Sequence, residues 1–205
     1  MKTDNKTPKT ALELSLACAA QRALNPEVIA KETERLERAK QLEEAAADLL
    51  AELRLAGVNL RSIGSEINSD AERKIAIPIL IKHLKLSYPL PILQSIAMKL
   101  ATPYAIEIRN DIIQMFRNPP VSNFNFQYDL GSIIARTTTT SNIQDTVTLL
   151  TDSTLGPSRL ALLAGVKKFK RRPEIKELLV SLSRDPDLSV EIASWKLDKE
   201  PMGSG

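Results

Sequence analysis

Apolar and polar positions along the second half of the chain follow a loose repeat. Four apolar pairs with i,i+3 spacing recur, Ile81/Leu84, Ile113/Phe116, Val147/Leu150 and Leu179/Leu182, and their first members stand 32, 34 and 32 residues apart. Each pair precedes a break bearing Pro, Ser or Asp, and a second apolar segment follows the break. One helix, a turn and another helix fit inside such a period. A period of this size is the signature of an α-solenoid, in which every helix pair buries its apolar stripe against its neighbours. Leu84, Phe116, Leu150 and Leu182 are therefore expected to be buried between layers.

The pattern predicts the elements in turn. Asn25-Pro26 starts a helix, with Asn as N-cap, Pro at the first helical position and Glu27 at the favourable end of the dipole. That helix is expected to reach about Leu55, with Gly57 as its left-handed stop. Val28, Ile29, Leu36, Leu42, Leu49, Leu50 and Leu53 fall on one stripe, and Glu34/Arg38 forms an i,i+4 pair on the other side. The charges from Glu32 to Lys40 read as a solvated face. A dimeric coiled coil is the alternative, but Ala39 and Ala45 to Ala47 break its seam. After a connector, helices are expected over residues 72–86 and 92–101, with Pro78 in the first turn of the former, so that residues 74–77 form its entry. Further helices follow over 104–117, 128–135, 143–150, 157–172, 174–184 and 189–197, with residues 121–127 as the least regular linker. The run Thr137-Thr138-Thr139-Thr140-Ser141 suits a loop and an N-cap.

Two stretches resemble HEAT repeats. Leu178-Leu179-x-x-Leu182-x-x-Asp185-Pro186-Asp187 followed by Val190-x-x-Ala193 is similar to a first helix, Asp-Pro turn and second helix. Ala76-Ile77-Pro78-Ile79-Leu80-Ile81-Lys82-His83-Leu84, then Ile92-x-x-x-Ile96-Ala97-x-x-Leu100 across a proline-bearing turn, is similar. More particularly, residues 51–103 and 156–197 resemble a group of bacterial HEAT-repeat proteins. The arginine common at the start of a second helix in that family is replaced by Leu93 after Ile92, and the stretch around Phe124 departs from the pattern. The resemblance implies an all-α fold, a right-handed α-α superhelix with an N-terminal helical cap. The expected organisation is a polar tail at 1–20, a capping helix and connector at 21–70, about four helix pairs at 71–200 and a short tail at 201–205.

Composition supports helices. Of 205 residues 43% are hydrophobic and 26% charged, while aromatics make up only 4% and glycines number 7, too few for the turns and large β-formers of a sandwich or barrel. The formal net charge of +3 does not by itself demand nucleic acid. Lys2, Lys6 and Lys9 before Ala11 to Ala20 mimic a secretory signal, but Glu13 interrupts the apolar core, so the segment is read as a tail leading into a helix. With one cysteine, Cys18, no internal disulfide can form, and the expected compartment is the cytoplasm. No apolar stretch is long enough for a membrane helix.

Candidate chemistry is sparse. His83 is the only histidine and sits in an apolar helix, where a packed residue is expected rather than a ligand. There is no CxxC, HExxH or Gly-rich phosphate loop, and Asp185 and Asp187 are accounted for by turn and capping chemistry. No catalytic residue, metal or cofactor is therefore expected. The most pointed feature is Lys167-Lys168-Phe169-Lys170-Arg171-Arg172, with Arg159 upstream, at the end of a second helix. A helix dipole accounts for one or two of these cations, not five. In a HEAT solenoid second helices line the concave face, so Arg159, Lys167, Lys168, Lys170, Arg171 and Arg172 are the candidate partner-binding residues. Helical spacing would put Lys167, Lys170 and Arg171 on one side, with Phe169 pointing inward. The partner read from them is an acidic protein, with nucleic acid as the alternative and a solvated helix end as the plain reading. Trp195 is expected to cover the end of the core, or else to serve as an exposed anchor. The function expected is a non-catalytic adaptor or inhibitor, such as an immunity-type protein.

Overall fold

A computed structural model describes Thr10 and residues 25–195. Cys18, the tails and the end of the last expected helix lie outside the described residues. Within them the protein is all-helical, with ten α-helices, two 3-10 segments and no strand. The chain divides between Glu44 and Ala45 into two compact units.

The first unit contains most of α1 (Pro26–Ala45). Asn25 caps it, its side-chain oxygen accepting from the amide of Glu27 at 2.9 Å. No residue of α1 is buried; Val28, Ile29 and Leu36 are exposed, so the expected continuous apolar stripe is not realised here. Its ion pairs are Glu32–Arg35 and Lys40–Glu44 rather than Glu34/Arg38. Nor does one helix run to Leu55. A turn at Ala46 ends α1, and α2 (Ala47–Leu55) begins after it, burying Leu49, Leu50 and Leu53. Gly57 follows at φ 90°, the left-handed conformation expected of a helix stop.

The second unit continues with four helix pairs: α3 (Asp70–Leu84) with α4 (Leu90–Leu100), α5 (Arg109–Arg117) with α6 (Phe124–Arg136), α7 (Ile143–Thr151) with α8 (Leu160–Lys167), and α9 (Pro173–Leu182) with α10 (Ser189–Ser194). The members of each pair pack on each other, and the second helices α4, α6 and α8 also pack in succession. Leu84, Phe116, Leu150 and Leu182 are all buried.

Local chemistry sets the boundaries, and several differ from expectation; the helix expected over 104–117 is a 3-10 segment, Pro103–Ile108, followed by α5. Helix α3 begins at Asp70, not near Pro78: Ser69 and Glu72 form a reciprocal capping box. Pro78 therefore lies mid-helix, at a cost of about 3 kcal/mol, which burial of Ala76, Ile77, Leu80, Ile81 and Leu84 offsets. Helix α6 begins at Phe124, inside the expected linker, because Asn123 caps the amide of Phe126 at 3.1 Å and Phe126 is wholly buried. The expected helix over 157–172 is a 3-10 segment, Ser153–Arg159, followed by α8, which ends at Lys167. Residues 168–172 form turns, so helical spacing does not align Lys167 with Lys170 and Arg171.

The α6–α8 contact is close because Gly131 faces it. A Cβ there would lie 2.8 Å from the Cβ of Ala161 and 3.1 Å from Cε2 of Phe116. Alanine at a helical glycine normally gains about 1 kcal/mol of propensity. Here Ala161 has no rotamer by which to retreat, so overpacking wins. Gly131→Ala is expected to destabilise by about 1–3 kcal/mol in urea unfolding; a stabilised variant would show that the two helices do not approach this closely.

Candidate functional site

The second helices converge on an open groove of about 900 Å³. Met98 and Ala101 line it at the end of α4, Tyr128, Asp129, Ser132, Ala135 and Arg136 along α6, Ala161, Ala164 and Lys167 along α8, then Lys168, and Glu191 and Trp195 at the last helix. The α6 residues fall at the i, i+3, i+7 spacing of one helix face. Alanine and serine at Ala101, Ser132, Ala135, Ala161 and Ala164 keep the floor low, so an occupant could approach the helices closely.

The walls are aromatic and charged. Trp195 follows α10, half-buried, and its indole N–H donates to Glu191 at 2.8 Å while the Lys167 ammonium stands 4.5 Å above its ring. That indole is held in place by Glu191 and Lys167 and lines the groove. Asp129 has no hydrogen-bond or ion-pair partner among the described residues, and burial pushes its carboxyl above the ordinary range. Burial, and then the charges of Arg109 and Arg136, pull the Lys168 ammonium down. Arg136 and Lys168 thus lie near each other in the groove, while Lys167 stands on the wall against Trp195.

The basic run does not act as one patch. Lys167 and Lys168 face the groove. Arg172 turns elsewhere: its guanidinium donates to the Thr140 hydroxyl at 3.2 Å and lies 5.1 Å from the Phe169 ring centroid. Phe169 is half-buried, with Lys168 at 5.5 Å on its ring as well. Lys170 and Arg171 are in the turn after α8, outside the groove lining.

Arg159 corrects the sequence reading outright. Its side chain is 2% exposed and so offers nothing to a partner. It donates to Asp185 at 2.8 and 3.1 Å and to Asp187 at 3.0 Å, tying the start of α8 to the α9–α10 turn. The two aspartates do serve the turn, since Asp185 accepts from the amide of Asp187 at 2.9 Å, but they also hold this cation. Arg159 precedes a second helix, α8, whereas a second buried arginine, Arg109, stands at the start of a first helix, α5. Its residue separation from Thr137 is 28, the same as that of Arg159 from Asp187. Where Arg159 meets carboxylates, Arg109 donates to Thr137 at 2.9 Å, Thr146 at 2.7 Å and the Ile134 carbonyl at 2.6 Å. The threonine run is thus partly buried lining for Arg109 rather than only a loop and cap. Burial opposes the charge at both; at Arg159 the aspartates outweigh it, whereas at Arg109 burial prevails over Asp145, whose carboxylate is 3.9 Å from Nε.

His83 is packed, 4% exposed at its side chain, with one ring nitrogen 2.7 Å from the Tyr88 hydroxyl and the other 2.9 Å from Glu52. One nitrogen closes the α2–α3 seam and the other holds the α3–α4 turn, which leaves none for a ligand. Among the described residues no His, Cys, Asp and Glu cluster is placed to hold a metal, and no helix is long and apolar enough to cross a membrane.

The chain matches no family model, no curated protein and no solved structure. The groove must be read from its own residues. Asp129, Ser132, Arg136 and Tyr128 are not legible as site residues in the sequence. Their one signal is a polar i, i+3, i+7 row, Asp129, Ser132 and Arg136, along one face of the helix.

Proposed function

We propose that this protein is a non-catalytic HEAT-repeat binding protein whose second-helix groove holds a segment of another protein bearing acidic side chains. The observation that carries the reading is the groove itself: a low floor, a pre-set indole and three lining cations, Arg136, Lys167 and Lys168. The four helix pairs and their period of 32 to 34 residues support a right-handed superhelix with the second helices on its concave side. An adaptor or an inhibitor of the immunity type, working in the bacterial cytoplasm, fits such a surface.

A nucleic-acid reading has one observation in its favour, that Tyr128 and Trp195 share the groove with the cations, as stacking platforms do. Against it, Asp129 and Glu191 line the same groove and oppose the continuous charge of a phosphate backbone, whereas a protein segment can set its few acidic side chains away from them. Reversing Arg136, Lys167 and Lys168 to Glu is expected to abolish capture of the native protein partner, with slower association as the main kinetic change. Reversing Lys176 on α9 and Arg184 just beyond it should leave capture intact. Unchanged capture by the groove triple variant removes the groove reading. Gel-shift titration of the wild type with short duplexes should show no binding up to tens of micromolar at low salt; tight binding with a steep inverse salt dependence would favour nucleic acid instead.

A further inference from the structure

Beside the groove lies a smaller cleft of about 290 Å³, and Met98, Ala101 and Pro103 border both. Three elements bring charged side chains to it: Glu66 from the connector before α3, Arg73 from α3 and Lys99 from the end of α4. Lys99 differs from the lysines around it. Lys82 and Lys85 give their ammonium groups to Glu52 at 2.7 Å and to Asp111 at 2.9 Å. Lys99 is half-buried, yet its ammonium makes no hydrogen bond or ion pair among the described residues. The one sealed side-chain nitrogen without a partner among those residues is Nε of Arg109, so Nζ of Lys99 is open to water. Burial pulls this ammonium below the ordinary lysine range, and the charge of Glu66 opposes only part of that shift.

An amine buried along its stem, open at its tip and set in a cleft with a carboxylate is a nucleophile with a base at hand. Arg73 sets the charge of the reagent. Its guanidinium donates to Asp70 at 3.0 Å and to the Ile67 carbonyl at 3.1 Å, which leaves N–H donors over for an anion in the cleft. We propose that Lys99 is an acyl-acceptor site, modified by small acyl phosphates whose phosphate group pairs with Arg73. Nζ in its free-base form attacks the acyl carbon and an N–C bond forms. The C–O bond to phosphate breaks, and phosphate leaves with the electron pair. The proton lost by the amine passes to the Glu66 carboxylate and on to water; nothing is oxidised or reduced. The product is a neutral amide that adds acyl bulk at the rim shared with the groove. This site goes beyond the protein-binding reading and does not depend on it.

Acetylation of the full chain by acetyl phosphate, mapped by peptide mass spectrometry, tests this. Near neutral pH, Lys99 should react about tenfold faster than Lys82 and Lys85, and its rate should level off at a lower pH than theirs. A neutral thioester, S-acetyl-N-acetylcysteamine, gives a second arm and should favour Lys99 less than acetyl phosphate does. Glu66→Gln should slow Lys99 about tenfold with both reagents. Arg73→Gln should erase only the advantage of acetyl phosphate, and Arg73→Lys should restore it. Inorganic phosphate should compete at Lys99 and not at Lys85, a check that needs no variant. Reaction at Lys99 no faster than at Lys82 and Lys85 would overturn the site. Fast reaction with no preference between the reagents, unmoved by phosphate, would overturn the acyl-phosphate class. Faster reaction at Lys168, whose ammonium is also pulled down, would overturn the role of the cleft, since burial alone would then decide.

Discussion

Arg159→Ala is expected to destabilise the protein by about 3–5 kcal/mol. The guanidinium is 2% exposed at its side chain and donates to Asp185, Asp187, the Leu150 carbonyl at 3.1 Å and the Gly156 carbonyl at 2.8 Å. Its loss leaves two neighbouring carboxylates without their cation and two carbonyls without a donor, and it unties α8 from the α9–α10 turn. Because Asp185 and Asp187 keep some access to water, the lower end of the range applies. Stability should also depend on pH. The hydrogen bonds from Arg159 hold Asp185 below the ordinary carboxylate range. Its contribution is therefore complete above the unfolded aspartate value and is lost as pH falls through the lower folded value. In Arg159→Ala that acid-side loss should largely disappear. Arg109→Met should cost less, because its close partners are two neutral hydroxyls and the Ile134 carbonyl, which retain other bonds, as Thr138 does to Thr146 at 2.9 Å and to Ile134 at 2.7 Å, and its one carboxylate, Asp145, is 3.9 Å away. Equal losses for the two arginines in urea unfolding would show that the aspartates do not matter.

Phe116→Ala is expected to cost about 3–5 kcal/mol. Phe116 is wholly buried and sits against Gly131 of α6, and its carbonyl accepts from the Gln127 side chain at 2.8 Å. Truncation opens a void beneath a helix contact that has no side chain on the Gly131 side to fill it. The urea midpoint should fall with little change in slope, because the surface exposed on unfolding is nearly the same. A loss below about 1 kcal/mol would mean that the repeat register places Phe116 at an edge rather than between layers.

The helix pairs were legible because their apolar residues carry the period themselves. Ile81/Leu84 through Leu179/Leu182 mark first helices whether or not the turns are understood. The misread boundaries have other causes. Pro78 reads as a helix start by local chemistry, and only the packing of α3 against α2 and α4 explains why the helix runs through it. Phe124 begins α6 because Asn123 caps it, a signal that the polar residues around it concealed. Arg159 looked like part of a basic surface because it lies eight residues before Lys167. Its counter-ions are more than 25 residues further on, and each already had a sufficient explanation in the turn. The groove was the least legible feature. Asp129 and Arg136 are ordinary polar residues on a helix, and only the arrangement of four helix ends turns them toward one space.

The claim that this space is where the protein works is tested most directly by position-resolved photo-crosslinking in the native host. A photoreactive residue in place of Tyr128 or Ala164 reports from the groove; one in place of Gln114 or Thr148, both exposed, reports from the first helices. The groove positions should each yield the same protein adduct, weakened by Arg136→Glu/Lys168→Glu, and the first-helix positions should not. Adducts confined to Gln114 and Thr148, or nucleic-acid adducts at Tyr128 and Ala164, would contradict the account.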